Sequence, residues 1–347
     1  MQQNTSLNTE QTSVNDHPLN TDPREQTREG RGAYPARTGW QPRPRKRGPW
    51  RTVLFCVIAL AVAVGVAELT GGIPISALHK TLPTRTFSLS GHGSLVVHEE
   101  SGSVHVHTGN TSQVIVRATA YAYGLSGDLN DLHVQYAQQG NTLTVTASES
   151  RSLMGLSNRW ITLDITVPLR IDLAIHDSSG DVNVSGIDGK ITTTIDSGNL
   201  SLDNVNGPLD LNTNSGGMTI TNEHGPVNAH VDRGDIRIDH AIGAMDLATS
   251  SGGIILNDAQ ISGQDHFHTE SGDIQFSGTL DPRGTYRMDT SSGGITLNLP
   301  ANSSFHLATS TGSGSVSNAF SASAVGSTPR APLTLSTDRG DIRVQKQ

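Results

Sequence analysis

The chain has 347 residues, enough for one or two globular domains, with 24 Lys and Arg against 32 Asp and Glu and a net charge of −8. The first 51 residues hold nine basic and five acidic side chains, so the remainder carries −12, which excludes a nucleic-acid-binding body that would need a basic face against phosphates. The single cysteine, Cys56, excludes an internal disulfide and any Cys-based zinc or iron–sulfur centre in one chain; glycine, at 37 residues, is well above its usual share, and aromatic residues are few.

Residues 1–51 are rich in Gln, Asn, Thr, Pro and Arg and lack apolar periodicity, so they cannot bury enough surface to offset the entropy of ordering. They are predicted to be a disordered, basic, cytoplasmic tail. Residues 52–75 are read as a single transmembrane helix with a short linker. Val53 to Ala67 is free of charge, Trp50 suits the membrane interface, and Arg43, Arg45, Lys46, Arg47 and Arg51 crowd the N-terminal flank. By the positive-inside rule the tail is cytoplasmic and the C-terminal body extracytoplasmic. A signal peptide cleaved after Gly65-Val66-Ala67 is the competing reading, and it also places the body outside. Cys56, near the start of the apolar run, reads as an inert intramembrane thiol.

The body carries an internal repeat. Glycines recur every nine residues from Gly180 to Gly252, alternating between two kinds of turn, so the unit is eighteen residues with two turns. Between turns apolar residues alternate with polar ones, the period of a strand with one buried face. Aligned units give the columns Val182, Leu200, Met218, Ile236, Ile254 and Val184, Leu202, Ile220, Ile238, Leu256 in one strand. The other strand gives Ile191, Leu209, Val227, Met245 and Thr193, Leu211, Ala229, Leu247. One unit has only four or five apolar side chains, each worth roughly 1.5–3 kcal/mol when buried. Units must therefore stack on a shared core, and the fold class is all-β, a parallel β-solenoid of eighteen-residue repeats over residues 171–347. Residues 85–170 also read as strands but lack the register; they are predicted to be irregular first turns or a cap, with a separate small β-domain as the alternative. Residues 312–330, rich in Ser, Gly and Ala, are predicted to be a mobile insertion before the last strand.

The series SSGDVNV, DSGNLSL, NSGGMTI, DRGDIRI, SSGGIIL and ESGDIQF, preceded by ITLDITVP and an N-terminal anchor, resembles the bacterial "putative adhesin" families of domains of unknown function. The resemblance spans residues 85–347. It implies a right-handed β-solenoid displayed outside the membrane in the cell envelope, and it implies no catalytic residues.

Other patterns are weighed against that architecture. Arg233-Gly234-Asp235 and Arg339-Gly340-Asp341 spell a receptor-read tripeptide, but the repeat itself demands Gly-Asp there. The residue after the turn glycine runs Asp181, Asn199, Gly217, Asp235, Gly253, Asp273, Gly294, an alternation expected of a metal-free column rather than a calcium site. His105 with His107, and His266 with His268, each project from one strand face, with His98 close by in sequence to the first pair. They read as solvated histidines, and a zinc or copper site would need a third ligand from a neighbouring rung. Hydrolase signatures are missing; Asp196, Asp203, Asp210 and Asp246 are the carboxylates that a β-helix glycosidase would have to pair across coils. Thr192 and Thr194 would begin an ice-binding column, but one coil on the positions are Asp210 and Asn212. No catalytic, cofactor-binding or metal residue is therefore assigned. The expectation is a non-catalytic, membrane-anchored envelope protein for attachment or adhesion. Its partners are the membrane through one helix and a cell-wall glycan or envelope protein, with self-association through the solenoid ends. An envelope-stress or signalling accessory with an output tail, and a carbohydrate-active enzyme, are the alternatives.

Overall fold

The computed structural model describes residues 76–124, 129, 132–149 and 157–347. The predicted tail (1–51) and anchor (52–75) lie outside them, and among the described residues no helix is long and apolar enough to cross a membrane. Every regular element among them is a strand, and the strands form two sheets built mostly of parallel neighbours.

The eighteen-residue period is the pairing register. In the first sheet Val182 lies beside Leu200, Leu200 beside Met218, Met218 beside Ile236 and Ile236 beside Ile254. In the second sheet Ile191, Leu209, Val227 and Met245 stack in the same way. Each coil therefore places one strand in each sheet, and the two inward faces meet in one continuous apolar core. A one-residue slip would send every column into water, so the hydrophobic pattern fixes the register. The strands of the first sheet bend midway: Asn204, Asn222, His240 and Asp258 adopt left-handed backbone conformations with φ of 51–57°. The bend turns the next residue of each strand inward, filling a further column with Val205, Glu223, Ala241 and Ala259.

Chain order and stacking order part at both ends. The strands Gly93–Glu99 and Val104–Thr108 form a coil that sits directly on Ile171–Asp177 and Val182–Ser185. The strands Thr142–Glu149 and Ser157–Val167 stack outside it, although they come later in the chain. Antiparallel strands then cover this end, Gln113–Gly124 on the first sheet and Leu132–Gln139 on the second. At the other end Ala331–Arg339 lies between Thr285–Ser292 and Phe305–Ser313, and Ile342–Lys346 lies between Ile295–Leu299 and Val316–Asn318. The final coil in the sequence is therefore the penultimate one in space. Residues 312–330 complete the outermost coil and fold over it. The Phe320 ring meets Phe305 edge-on at 5.1 Å and carries the Lys346 ammonium 4.9 Å from its centroid.

Candidate functional site

The turn column is occupied by its own hydrogen bonds. Asp181 Oδ1 accepts the Asn199 backbone N–H at 2.9 Å, Asn199 Oδ1 that of Gly217 at 2.9 Å, Asp235 that of Gly253 at 2.7 Å, and Asp273 that of Gly294 at 2.8 Å. Each acid or amide thus satisfies a backbone donor one coil further on. At the last coil Asp341 receives the backbone N–H of Ser315, which holds its carboxyl below the usual carboxylate range, helped by the Ser315 hydroxyl and Arg343. Both Arg-Gly-Asp acids, Asp235 and Asp341, are committed to this task. Gly234 of the first tripeptide has a φ of 147°, and a Cβ there would stand 2.1 Å from the Gly216 carbonyl oxygen. The tripeptides are explained by coil stacking.

Outward residues form rows along the stack, with neighbouring strands about 4.8 Å apart. On the second sheet one row runs Thr192, Asp210, Asn228, Asp246, His266, Arg287, and the adjacent row Thr194, Asn212, His230, Ala248, His268, Asp289. Asparagine amides donate along these faces to the preceding coil's carboxylates: Asn214 to Asp196 at 2.9 Å, Asn222 to Asp203 at 3.3 Å and Asn228 to Asp210 at 3.2 Å. Of the four carboxylates considered for glycosidase chemistry, three are tied to asparagines in this way. Asn228 stands in the row between Asp210 and the fourth, Asp246, so no facing carboxyl pair results.

The two histidine pairs differ. On the first sheet His107 Nδ1 lies 3.4 Å from Asp164 Oδ1 and its Nε2 3.0 Å from the Thr166 hydroxyl, while His105 meets the Asn183 amide at 3.3 Å. Both line a shallow depression of about 320 Å³ with Ser185, Ser201 and Asp203. On the second sheet His266 and His268 converge on one carboxylate. His266 Nε2 donates to Asp289 Oδ1 at 3.0 Å and His268 Nδ1 donates to Asp289 Oδ2. Arg287 Nε also donates to Asp289, at 2.7 Å, and Asp246 Oδ1 stands 3.9 Å from the other nitrogen of His266. Burial pushes the Asp289 carboxyl up, but the bonds from His268, His266 and Arg287 outweigh it and hold the group below the usual carboxylate range. A third donor beside the two histidines thus stands on the next rung, where Asp289 is the register partner of His268.

Four acids face the core, and none stood out in the sequence. Glu99 and Asp177 are register partners at the N-terminal end of an inward column of the second sheet. Burial raises Glu99 to about 9 and Asp177 to about 6, with mutual or neighbouring carboxylate repulsion adding to it. Glu223 follows the bend in the first sheet, and burial lifts it to about 8 against an opposing bond from the His224 backbone N–H. Asp265 accepts the Met245 backbone N–H, and burial raises it to about 7. For Glu223 and Asp265 the signal in the sequence was an acid at a position where the aligned column is apolar. For Glu223 that column is Val205, Ala241 and Ala259.

Several solved structures are similar to the chain at low identity. A "putative cell adhesion protein" from Clostridium sporogenes is 12% identical, with 78% of this chain and 100% of that chain covered and a TM-score of 0.22. A "putative adhesin" from Bacteroides fragilis is 14% identical, with 76% and 97% covered and a TM-score of 0.37. A "putative lipid binding protein" from Parabacteroides distasonis is 11% identical, with 76% and 96% covered and a TM-score of 0.31. No curated protein matches the chain. The family model described as Toastrack DUF4097 matches residues 92–345, from the first inward-facing strand to the last. With nearly three quarters of its length in that match, the chain belongs to the Toastrack DUF4097 family.

Proposed function

We propose that the protein is a non-catalytic attachment module of the cell envelope, held by a single N-terminal membrane helix with residues 1–51 in the cytoplasm and the solenoid outside. The observation that carries this reading is the pair of outward faces. Their rows of Asp, Asn, Ser, Thr and His repeat at the strand spacing and are bridged by side-chain hydrogen bonds along the stack. Such faces offer many equivalent weak contacts to an extended polymer, and avidity grows with the number engaged. The large exposed apolar side chains, Leu78, Tyr123, Leu169, Ile242 and Val316, are spread over different strands and loops. A polar, repetitive partner such as a cell-wall glycan or a glycosylated envelope protein suits this surface better than an apolar peptide does.

The test is co-sedimentation of the purified full-length chain, in detergent, with cell-wall sacculi from its own host, while the supernatant is assayed for released sugar. Saturable binding without release is expected, weakened when Asp210→Ala and Asn228→Ala are combined on the second-sheet face. Released sugar would overturn the non-catalytic reading, and absence of binding would overturn attachment to the wall.

A further inference from the structure

We propose that His266, His268 and Asp289 form a binding site for one divalent late-transition metal ion, of the zinc class, on the outward face of the second sheet. Among the described residues they are the one group of three or more His, Cys, Asp or Glu side chains whose ligating atoms all lie within 4.8 Å of one another. A tetrahedral zinc ion with bonds of about 2.0–2.2 Å needs ligand atoms about 3.3 Å apart, a distance that small side-chain rotations reach from here. The donor set is imidazole and carboxylate, which suits zinc, copper or nickel and not calcium or magnesium.

The positions are fixed by the fold. His266 and His268 lie two residues apart on one strand and so point to the same side, and Asp289 is brought beside them by the register of the next strand. The Asp289 side chain is only 15% exposed, so its carboxylate is held in place rather than waving in solvent. Ala248, the register partner of His268 on the other side, presents only a methyl group and leaves room beside the ring. Asp246 faces the nitrogen of His266 that does not point at Asp289. It would accept that N–H and fix the ring, as the outer carboxylates of metal-bound histidines do. With two nitrogens and one carboxylate the ion keeps an open fourth position for water or for a donor on a partner.

One group opposes the ion: the Arg287 guanidinium, which shares Asp289 with the histidines. Its side chain is 58% exposed and can swing away, leaving the carboxylate free to bind metal. That competition gives the site a testable signature. Removing Arg287 should tighten metal binding, a change that a damaged fold cannot mimic. The other histidine pair provides the contrast, because His105 and His107 do not share a carboxylate.

The experiment is calorimetric titration of the metal-stripped full-length chain, its purification tag removed, with zinc chloride and, separately, calcium chloride. The expected result is one equivalent of zinc bound with no calcium response, and an intense visible spectrum when cobalt replaces zinc. His268→Ala and Asp289→Asn should each weaken zinc at least about tenfold. Arg287→Ala should strengthen it, and the combined His105→Ala and His107→Ala variant should bind as the parent does. No saturable zinc binding, binding that survives His268→Ala, or binding lost equally in the His105 and His107 variant would each overturn the assignment.

Discussion

Glu223 shows how much one residue can conflict with its column. Its neighbours in the inward row are Val205 and Ala241, yet it brings a carboxylate into a fully buried position, where the bond from the His224 backbone N–H does not offset burial. Such a group is tolerated when protonated and costs several kcal/mol when ionised. Folded pKa values of about 9, 6 and 8 for Glu99, Asp177 and Glu223 lie above the ordinary carboxyl range near 4. Between those limits the folded chain binds more protons than the unfolded one, so stability falls as pH rises. On the acid side, Asp172 is held low by hydrogen bonds from His92 and the Lys190 N–H that outweigh its partial burial. Its contribution is lost as pH drops below the carboxylate range. The melting temperature should therefore peak at about pH 4 and decline toward pH 9. Glu223→Met should raise stability at pH 8 by on the order of 2 kcal/mol and flatten that decline. An unchanged slope in thermal melts from pH 5 to 9 would show that Glu223 does not titrate with folding. Gly234→Ala, by contrast, combines a left-handed backbone with a Cβ 2.1 Å from the Gly216 oxygen, and a loss of about 2–4 kcal/mol is expected in denaturant melts.

At the scale of the strand, the second sheet contains a ladder that its alternation conceals. Thr249, Thr269, Thr290 and Thr337 point inward beside leucine, phenylalanine and methionine columns, and each hydroxyl donates to a turn glycine carbonyl on the preceding coil. Thr290, for example, reaches the Gly272 oxygen at 3.0 Å. The ladder pins each turn to the second-sheet strand of the next coil in the stack, in a part of the coil where no β-pairing holds the carbonyl. Thr290→Val keeps shape and volume but strands that carbonyl, and should cost about 1–2 kcal/mol by chemical denaturation. The same substitution at Thr213, whose hydroxyl has no partner, should cost little. Towards the N-terminal coils the same column holds Asp177 and then Glu99, so hydroxyl and carboxyl groups occupy one structural slot.

For the solenoid as a whole, the interleaved ends matter most. A parallel stack leaves an unpaired edge at each end, and such an edge templates association with another chain. Here the terminal coils of the sequence lie one layer in, paired on both sides, and the outer layers are closed by antiparallel strands or by the Phe320 segment. Removing residues 331–347 would therefore take a layer from within the stack, including Leu333, Leu335, Ile342 and Val344. Amide hydrogen exchange on that truncated chain should show residues 305–318 unprotected while the coils of 191–261 keep their protection, because each coil depends only on its neighbours. Retained protection at 305–318 would mean that the outer coil can dock directly on residues 285–299.

The sequence by itself determined the repeat, the inward columns and the pairing register, because a period of two inside a period of eighteen leaves one arrangement that buries every column. It also carried the family membership, in the Ser-Gly-Asp turns. The order of the coils at the ends was decided only in three dimensions, although Ser101-Gly102-Ser103-Val104-His105-Val106 already repeats the pattern of Ser179-Gly180-Asp181-Val182-Asn183-Val184. Stacking energy depends on which faces match, not on how far apart the coils lie in the chain, so a spacing of 78 residues hid a direct neighbour. The same reason kept the metal-ligating cluster out of reach. His266 and His268 announce themselves as a pair, but Asp289 joins them only after the irregular 21-residue coil that carries it is laid in register beside theirs.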